Sequence, residues 1–323
     1  MKIIRDLNEI KEPFENACVT IGNFDGVHLG HQLLFGEIAQ RVYRHGGISV
    51  AVTFDPHPLQ VLRPDGIKLI STCEQKTELI AHAGIDVLVI IPFSQNFAAI
   101  SATKFVDEVL RETIGVKELV VGYDYAFGKG RAGNIDFLKA QGLEKGFSVT
   151  VVQAHYEQDM LVSSTKVREL VTDGRMADAR TLLGRYYQIR GEVQRGKQRG
   201  GKEIGFPTAN LHMDTEDLIP EMGVYVCQVI CDGKCYGGVL NIGVNPTFGE
   251  GKLVAETHIF DFKQDIYGKP IKINLLRFLR GEQKFSGIQE LSAQIAKDVI
   301  AAKAILLEQQ NELILSCEER FNQ

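Results

Sequence analysis

The run Gly22-Asn23-Phe24-Asp25-Gly26-Val27-His28-Leu29-Gly30-His31 constrains this chain more than any other stretch. It follows the apolar segment Cys18-Val19-Thr20-Ile21 and leads into Leu33-Leu34-Phe35, Ile38-Ala39 and Val42, which fall on one face at helical spacing. The order is strand, glycine turn, helix, and the apolar segment suits a parallel strand covered on both faces. Such a turn aims the helix's free N–H groups and its positive dipole end at whatever lies before the strand, which favours a phosphate. His28 and His31, three apart in the first helical turn, lie on one side. Gly26 and Gly30 let a bulky anion approach the backbone. A plain structural turn with capping histidines is the alternative, but two histidines, two glycines and Asp25 on one helix start favour the anion. Neither a Walker loop nor a dinucleotide fingerprint is present.

Apolar strands and amphipathic stretches alternate through the first half: Ile48–Phe54, Asp86–Phe93, Glu118–Val121 and Ser148–Val152 read as strands, with helices at Thr103–Ile114 and Ile135–Lys145 between them. This pattern predicts a doubly wound, Rossmann-like parallel sheet, whose site lies beyond the carboxyl ends of the strands. The loops there are Phe54-Asp55-Pro56-His57-Pro58, stiffened by two prolines, and Gly122-Tyr123-Asp124-Tyr125-Ala126-Phe127-Gly128, which sets a carboxylate among aromatics. Those rings have two readings, packing against the strand or stacking on a planar ligand. Ser163-Ser164-Thr165-Lys166-Val167-Arg168 opens a helix to about Val171. Its hydroxyls read as an N-cap, and Lys166 and Arg168 make the same turn a second anion site.

The pattern changes near Leu183-Gly184-Arg185. Short alternating runs follow at Tyr186–Val193, Gly223–Ile230, Tyr236–Ile242, Val254–Phe262 and Ile271–Phe278, with turns at Asp232-Gly233 and Tyr267-Gly268-Lys269-Pro270. They predict a small antiparallel β-barrel of Greek-key type, with a helix from about Ile288 to Leu315 packed on it. The domains are therefore expected at 1–184 and 185–323. Between the first two barrel strands, a loop with four glycines and three cations, Gly196 to Gly205, ends in the rigid run Phe206-Pro207-Thr208-Ala209-Asn210. The oxygens of Thr208 and Asn210 suit Mg²⁺, which takes few protein oxygens beside phosphate and water. Glu256 shares a strand face with His258, Phe260 and Phe262, and is either paired structurally or poised as a base.

Composition narrows the function classes. A net charge of −5 over 323 residues argues against a nucleic-acid coat. The chain shows no run of about 18 apolar residues and no secretory start, so a cytoplasmic protein without membrane contact is expected. Six cysteines are too few for a disulfide scaffold, and Cys227, Cys231 and Cys235 flank a hairpin turn rather than form a zinc site.

The form His28-Leu29-Gly30-His31 resembles the nucleotidyltransferase superfamily, in which such histidines hold the triphosphate of ATP. The whole chain resembles the prokaryotic bifunctional riboflavin kinase and FMN adenylyltransferase family. Gly22–His31, Phe54–Pro58, Gly122–Gly128 and Ser163–Arg168 are similar to its adenylyltransferase motifs, and Gly205–Asn210, Glu256 and Leu276–Phe285 to its kinase motifs. The resemblance implies riboflavin, FMN and ATP as substrates with Mg²⁺ as cofactor. It implies catalytic roles for His28, His31, Arg168 and Glu256. Gly22, Phe24, Asp25, Gly26, Gly30, Ser163, Ser164, Thr165, Lys166, Lys202, Gly205 and Pro207 become ATP or phosphate contacts. His57, Pro58, Asp124, Tyr125, Phe127 and Arg277 become flavin contacts, and Thr208 and Asn210 metal ligands. The chain departs from the family at Tyr125, where phenylalanine is usual, and at Ala126, where a basic residue is frequent. The rivals are a kinase fused to a transferase with another acceptor, and a non-catalytic flavin-binding regulator. The oligomeric state is left open, a homo-oligomer included.

Overall fold

A computed structural model of the chain describes residues 1–63, 65–195, 205–213, 216–244 and 253–321, with side chains in the last helix described to residue 308. The chain divides into two compact units, Met1–Val167 and Arg168–Gln323.

The first unit is built on strands β1 (Lys2–Ile4), β2 (Ala17–Ile21), β3 (Ile48–Asp55), β4 (Val87–Pro92), β5 (Val116–Gly122) and β6 (Ser148–Val152). They form one fully parallel sheet in the order β1-β4-β3-β2-β5-β6. From β2 the chain winds outward through β3 and β4, then returns to lay β5 on the other side of β2. The gap between β2 and β5 is thus the switch point where such sheets hold ligands. Helix α1 (Leu29–His45) leaves β2, α2 (Pro58–Leu62) leaves β3, and α3 (Cys73–His82) precedes β4. Next come α4 (Gln95–Ala98) and α5 (Ala102–Lys104), the latter running on as a wider π-helical stretch over Phe105–Ile114, then α6 (Ile135–Lys145). One sheet face, with Val19, Val50, Val89 and Leu119, is buried against Phe105, Val109, Leu110 and Leu138. The other, with Cys18, Ala51, Leu88 and Val120, is buried against Phe24, Leu34, Phe35, Ile38 and Ile80. Both faces are covered, which is why these strands read as unbroken apolar runs. A two-residue ribbon, β7 (Tyr156–Glu157) with β8 (Met160–Leu161), precedes α7 (Ser164–Thr172).

The second unit carries α8 (Met176–Leu183) and then β9 (Tyr187–Gln194), β10 (Ala209–His212), β11 (Gly223–Cys231), β12 (Lys234–Val244), β13 (Leu253–Ile259) and β14 (Pro270–Gly281). These close as an antiparallel barrel in the order β10-β13-β12-β11-β14-β9, so its strands leave no open edge. Alternate positions, among them Leu211, Tyr225, Leu240, Ile242, Ala255, Ile273 and Leu275, are fully buried. The opposite face is buried at Val224, Val226 and Val239, where Ala302 and Val299 of α9 (Ile288–Phe321) pack on it. Cys231 and Lys234 pair across the Asp232-Gly233 turn, confirming a hairpin. β13 ends at Ile259, so Phe260 and Phe262 lie beyond the strand instead of continuing its alternation; Asp261, at φ 54°, turns the chain between them.

Candidate functional site

The first candidate site begins at the carboxyl end of β2. The turn from Gly22 to His28 is strained: Phe24 and Val27 hold φ of 49° and 40°, which side-chain-bearing residues rarely adopt. Packing holds it in place. The Phe24 ring is fully buried, edge-on to Phe35 at 4.9 Å and to His31 at 5.3 Å between centroids. An added Cβ on Gly22 would lie 2.6 Å from that ring. The Asp25 carboxylate, also buried, accepts hydrogen bonds from Ile70 N at 3.1 Å on both oxygens, from Ser71 N at 3.1 Å and from Ser71 Oγ at 3.3 Å. Gly26 N donates to Ser71 Oγ at 3.0 Å. The side chains of Phe24 and Asp25 are therefore engaged within the fold.

His28 is the N-cap of α1, its Nδ1 accepting from His31 N at 3.4 Å. That acceptor role places the neutral ring's proton on Nε2. The two imidazoles stack at 3.6 Å with 20° between their planes, His28 buried and His31 half-buried. The start of α7 comes to the same place. Ser164 Oγ donates to the Asp25 carbonyl at 3.0 Å, and Ser163 Oγ accepts from Lys166 N at 3.2 Å. A Cβ on Gly30 would sit 3.2 Å from the His28 ring and 3.7 Å from Val162 O, so the absent side chain lets the approach to α7 close over the first turn. Thr165 is exposed, and Lys166 and Arg168 are half-buried. Two helix N-termini thus converge at the end of the central strand, an arrangement whose dipoles favour negative charge.

The flanking loops differ from their sequence reading in detail. His57 is buried and caps α2, its Nδ1 accepting from Leu59 N at 3.1 Å with Pro58 as first helical residue. Tyr125 and Phe127 stack on each other at 5.6 Å, and Phe127 packs against Phe105 and Phe137, so packing is the reading these two rings satisfy. The Tyr125 hydroxyl is buried with no hydrogen-bond partner among the described residues, and burial pushes it well above the usual tyrosine range. What this loop turns outward is Asp124, exposed, and Tyr123, 40 % exposed. Burial, then Asp124 and Tyr156, raises the Tyr123 hydroxyl.

Sequence reasoning missed Lys76. It is buried on α3, and its Nζ donates to Thr53 Oγ1 at 3.1 Å, Phe54 O at 3.2 Å and Asn23 O at 3.3 Å. Burial lowers its ammonium from the ordinary lysine value. A charged residue four before Ile80, on the face α3 buries, was the available signal.

The second candidate site lies on the outer face of the barrel. In register, Asn210 of β10 stands opposite Glu256 of β13, which stands opposite Asn241 of β12. Directly opposed residues share a face with Cβ atoms about 5 Å apart. Asn210 is 7 % exposed and its Nδ2 makes a long contact, 3.4 Å, with Thr208 O. Thr208 lies two residues before Asn210, immediately ahead of β10. His258 Nδ1 lies 2.9 Å from the Pro207 carbonyl, which can only accept, so that nitrogen carries a proton; Phe206 packs edge-on to the same ring at 5.2 Å. The Pro-Thr-Ala-Asn run is thereby fastened to β13 beside Glu256. Glu282 also reaches this face, its Oε1 2.0 Å from where a Gly243 Cβ would be. Gly205 takes φ 82° and is exposed, as is Arg277 on β14. Lys202 lies outside the described residues.

A parallel α/β unit with a converged anion turn, followed by a closed barrel carrying an oxygen-rich face, defines a two-site nucleotide-using protein. Comparison with known proteins makes this specific. The family model for FAD synthetase matches residues 10–166 and that for riboflavin kinase residues 183–306. The chain is 36% identical over 306 residues to the bifunctional riboflavin kinase/FMN adenylyltransferase of Escherichia coli (strain K12), covering 94% of this chain and 97% of that one. Its counterpart in Bacillus subtilis (strain 168) is 38% identical over 295 residues, with 90% and 92% covered. A crystal structure named macrolide-efflux protein from Streptococcus pneumoniae superposes with a TM-score of 0.84 at 30% identity, covering 93% of this chain and 98% of that one. The chain belongs to the bifunctional riboflavin kinase/FMN adenylyltransferase family.

Proposed function

We propose that this chain makes flavin cofactors in two steps: riboflavin and ATP give FMN and ADP in the barrel, then FMN and ATP give FAD and pyrophosphate in the α/β unit, with the division of labour at residues 184/185. The observation that supports the reading is the register of Asn210 against Glu256, a carboxamide directly opposite a carboxylate on one face of the barrel.

The kinase acceptor is a ribityl hydroxyl, a weak acid. Its oxygen bonds to the γ-phosphorus as the bond from that phosphorus to the bridging oxygen breaks, ADP leaves, and Glu256 takes the hydroxyl proton. A placed base is worth about 10²–10⁴-fold in such a step. Thr208 Oγ1 and Asn210 Oδ1 are hard, uncharged oxygens two residues apart in one short segment, and their chemistry suits Mg²⁺, which favours few protein ligands. Bound there with ATP, the ion would neutralise charge on the transferring phosphoryl group. Pro207 and Gly205 would support the nucleotide, as would Lys202, and Arg277 the flavin.

The second acceptor needs no base, since a phosphate monoester carries about −1.5 to −2 charges at pH 7. An FMN phosphate oxygen bonds to the α-phosphorus of ATP and pyrophosphate leaves, with no proton transferred. The required groups are donors and cations. The N-terminal turn of α1, the stacked His28 and His31, and Ser163, Ser164, Thr165, Lys166 and Arg168 supply them. Asp124 and Tyr123 on the β5 loop, with His57 and Pro58 after β3, would border the flavin, resting on the packed rings of Tyr125 and Phe127. We place the chain in the cytoplasm, where the free thiols of Cys18, Cys73, Cys227, Cys231 and Cys235 stay reduced.

Chromatography of products tests the reading. Purified chain with riboflavin, ATP and magnesium should yield FMN and then FAD, and with FMN and ATP it should yield FAD and pyrophosphate. Flavin bound but unchanged would refute it. FMN without FAD would refute the second step alone.

A further inference from the structure

We propose that Lys76 is a positioning residue for adenylyl transfer, acting through the backbone of the phosphate-facing turn; this rests on the proposed function of the α/β unit. A side chain on the buried face of a helix is ordinarily aliphatic, because an ammonium removed from water needs compensation. Here the compensation is specific. Lysine has three N–H donors, and each meets a neutral oxygen: Asn23 O, Thr53 Oγ1 and Phe54 O.

The acceptors come from two chain segments. Asn23 O belongs to the turn after β2; Thr53 and Phe54 are the end of β3. Thr53 Oγ1 in turn donates to Asn23 O at 3.1 Å, which closes a joint of one cation, one hydroxyl and two carbonyls. The segment leading to α3 grips the same turn on its other side through Asp25 and Gly26. α3 itself is pinned at its start by Thr72, whose Oγ1 accepts from Gln75 N at 3.2 Å. The turn between these grips contains the strained Phe24 and Val27. Without the joint, Asn23 has no cation to hold its carbonyl toward β3, and the N–H groups and imidazoles that follow it lose their aim.

The test uses the full chain with Lys76→Met, which keeps length and apolar bulk, and Thr53→Val, which keeps the charge but removes the hydroxyl. FAD formation from FMN is measured for KM and kcat, with riboflavin phosphorylation and thermal unfolding alongside. Lys76→Met should raise KM for ATP, with a loss in kcat/KM on the order of 10²-fold, the cost of misplacing a binding group by about 1 Å. KM for FMN and riboflavin phosphorylation should stay within about twofold of the wild type. Thr53→Val should show a smaller rise in the same constant. The double variant should be no worse than Lys76→Met, because residues acting through one joint are not additive. A folded Lys76→Met enzyme with normal KM for ATP, or independent effects in the double variant, would overturn the proposal. If Lys76→Met does not fold, Thr53→Val decides, and a normal KM there overturns it. A wild type that makes FMN but never FAD sinks the reading of this half instead. The joint is then read by hydrogen exchange, as ATP-dependent protection of the Gly22–His31 peptide that the wild type shows and Thr53→Val loses. A wild type without that protection removes the joint's role as well.

Discussion

Asp25→Asn separates a carboxylate that works on the fold from one that works on the ligand. The Asp25 oxygens receive Ile70 N twice, Ser71 N once and Ser71 Oγ once, all at 3.1–3.3 Å in a buried position. Asparagine keeps one oxygen for Ser71 and turns an NH₂ toward the Ile70 N–H. Hydrogen bonds to a charged group contribute about 1.5–3 kcal/mol against about 1 kcal/mol for neutral ones, and a donor facing a donor adds the cost of an unsatisfied buried group. The sum is about 3 kcal/mol. For a unit of this size each kcal/mol lowers the unfolding midpoint by about 2–4 °C, so a fall of about 6–12 °C is expected. Calorimetry of the full chain reads it, with both activities measured well below the transition. FAD formation should weaken through KM for ATP while riboflavin phosphorylation is retained. An unfolding midpoint unchanged within about 2 °C, together with lost FAD formation, would mean the carboxylate meets the substrate, and the reasoning would fail.

Glu256→Gln should lower FMN formation by about 10²–10⁴-fold and leave conversion of supplied FMN to FAD intact; equal loss of both activities would contradict the assignment of two sites. Gly22→Ala places a methyl 2.6 Å from the buried Phe24 ring, which Phe35 and His31 hold in place. Overpacking of this kind costs about 1–3 kcal/mol, so thermal unfolding of the α/β unit should come earlier and FAD formation should fall; an unshifted midpoint refutes the tight fit. Burial holds Lys76 below the ordinary value of 10.5, so between its lowered value and 10.5 the folded chain binds fewer protons there than the unfolded one. Stability from this residue therefore rises with pH across that window. The urea midpoint of the wild type should gain on that of Lys76→Met as pH is raised toward 10.5, and a constant gap would remove the linkage.

What could be read before the structure follows the range of the interactions. α6 (Ile135–Lys145) and β6 (Ser148–Val152) begin and end where periodicity and a following glycine or polar break place them, because local sequence determines both. β1 and β10 escaped: three and four residues long, they exist through partners far along the chain, Lys2 opposite Val87 and Asn210 opposite Glu256. Thr103–Ile114 read as an ordinary helix because apolar spacing does not report the wider π-helical turn. At the site, residue types and spacings identified the two helix starts and picked out Asn210 and Glu256 separately, whereas their pairing across β10 and β13 and the direction of side chains were hidden. The sequence left packing and a ligand platform both open for Tyr125 and Phe127, and the two rings stack on each other. Asp25 looked like part of a phosphate turn, and charge alone argues otherwise: a carboxylate aimed at a triphosphate repels it unless a cation stands between them. Its direction follows from that repulsion together with the unpaired backbone donors at Ile70 and Ser71, 45 and 46 positions away, which need an acceptor. Lys76 obeys the complementary rule, since the carbonyls at the ends of β2 and β3 need donors and an ammonium supplies three. A charged residue in an otherwise apolar helix stripe is best read as the answer to a polar need elsewhere in the chain, and here that need is the shape of the phosphate-facing turn.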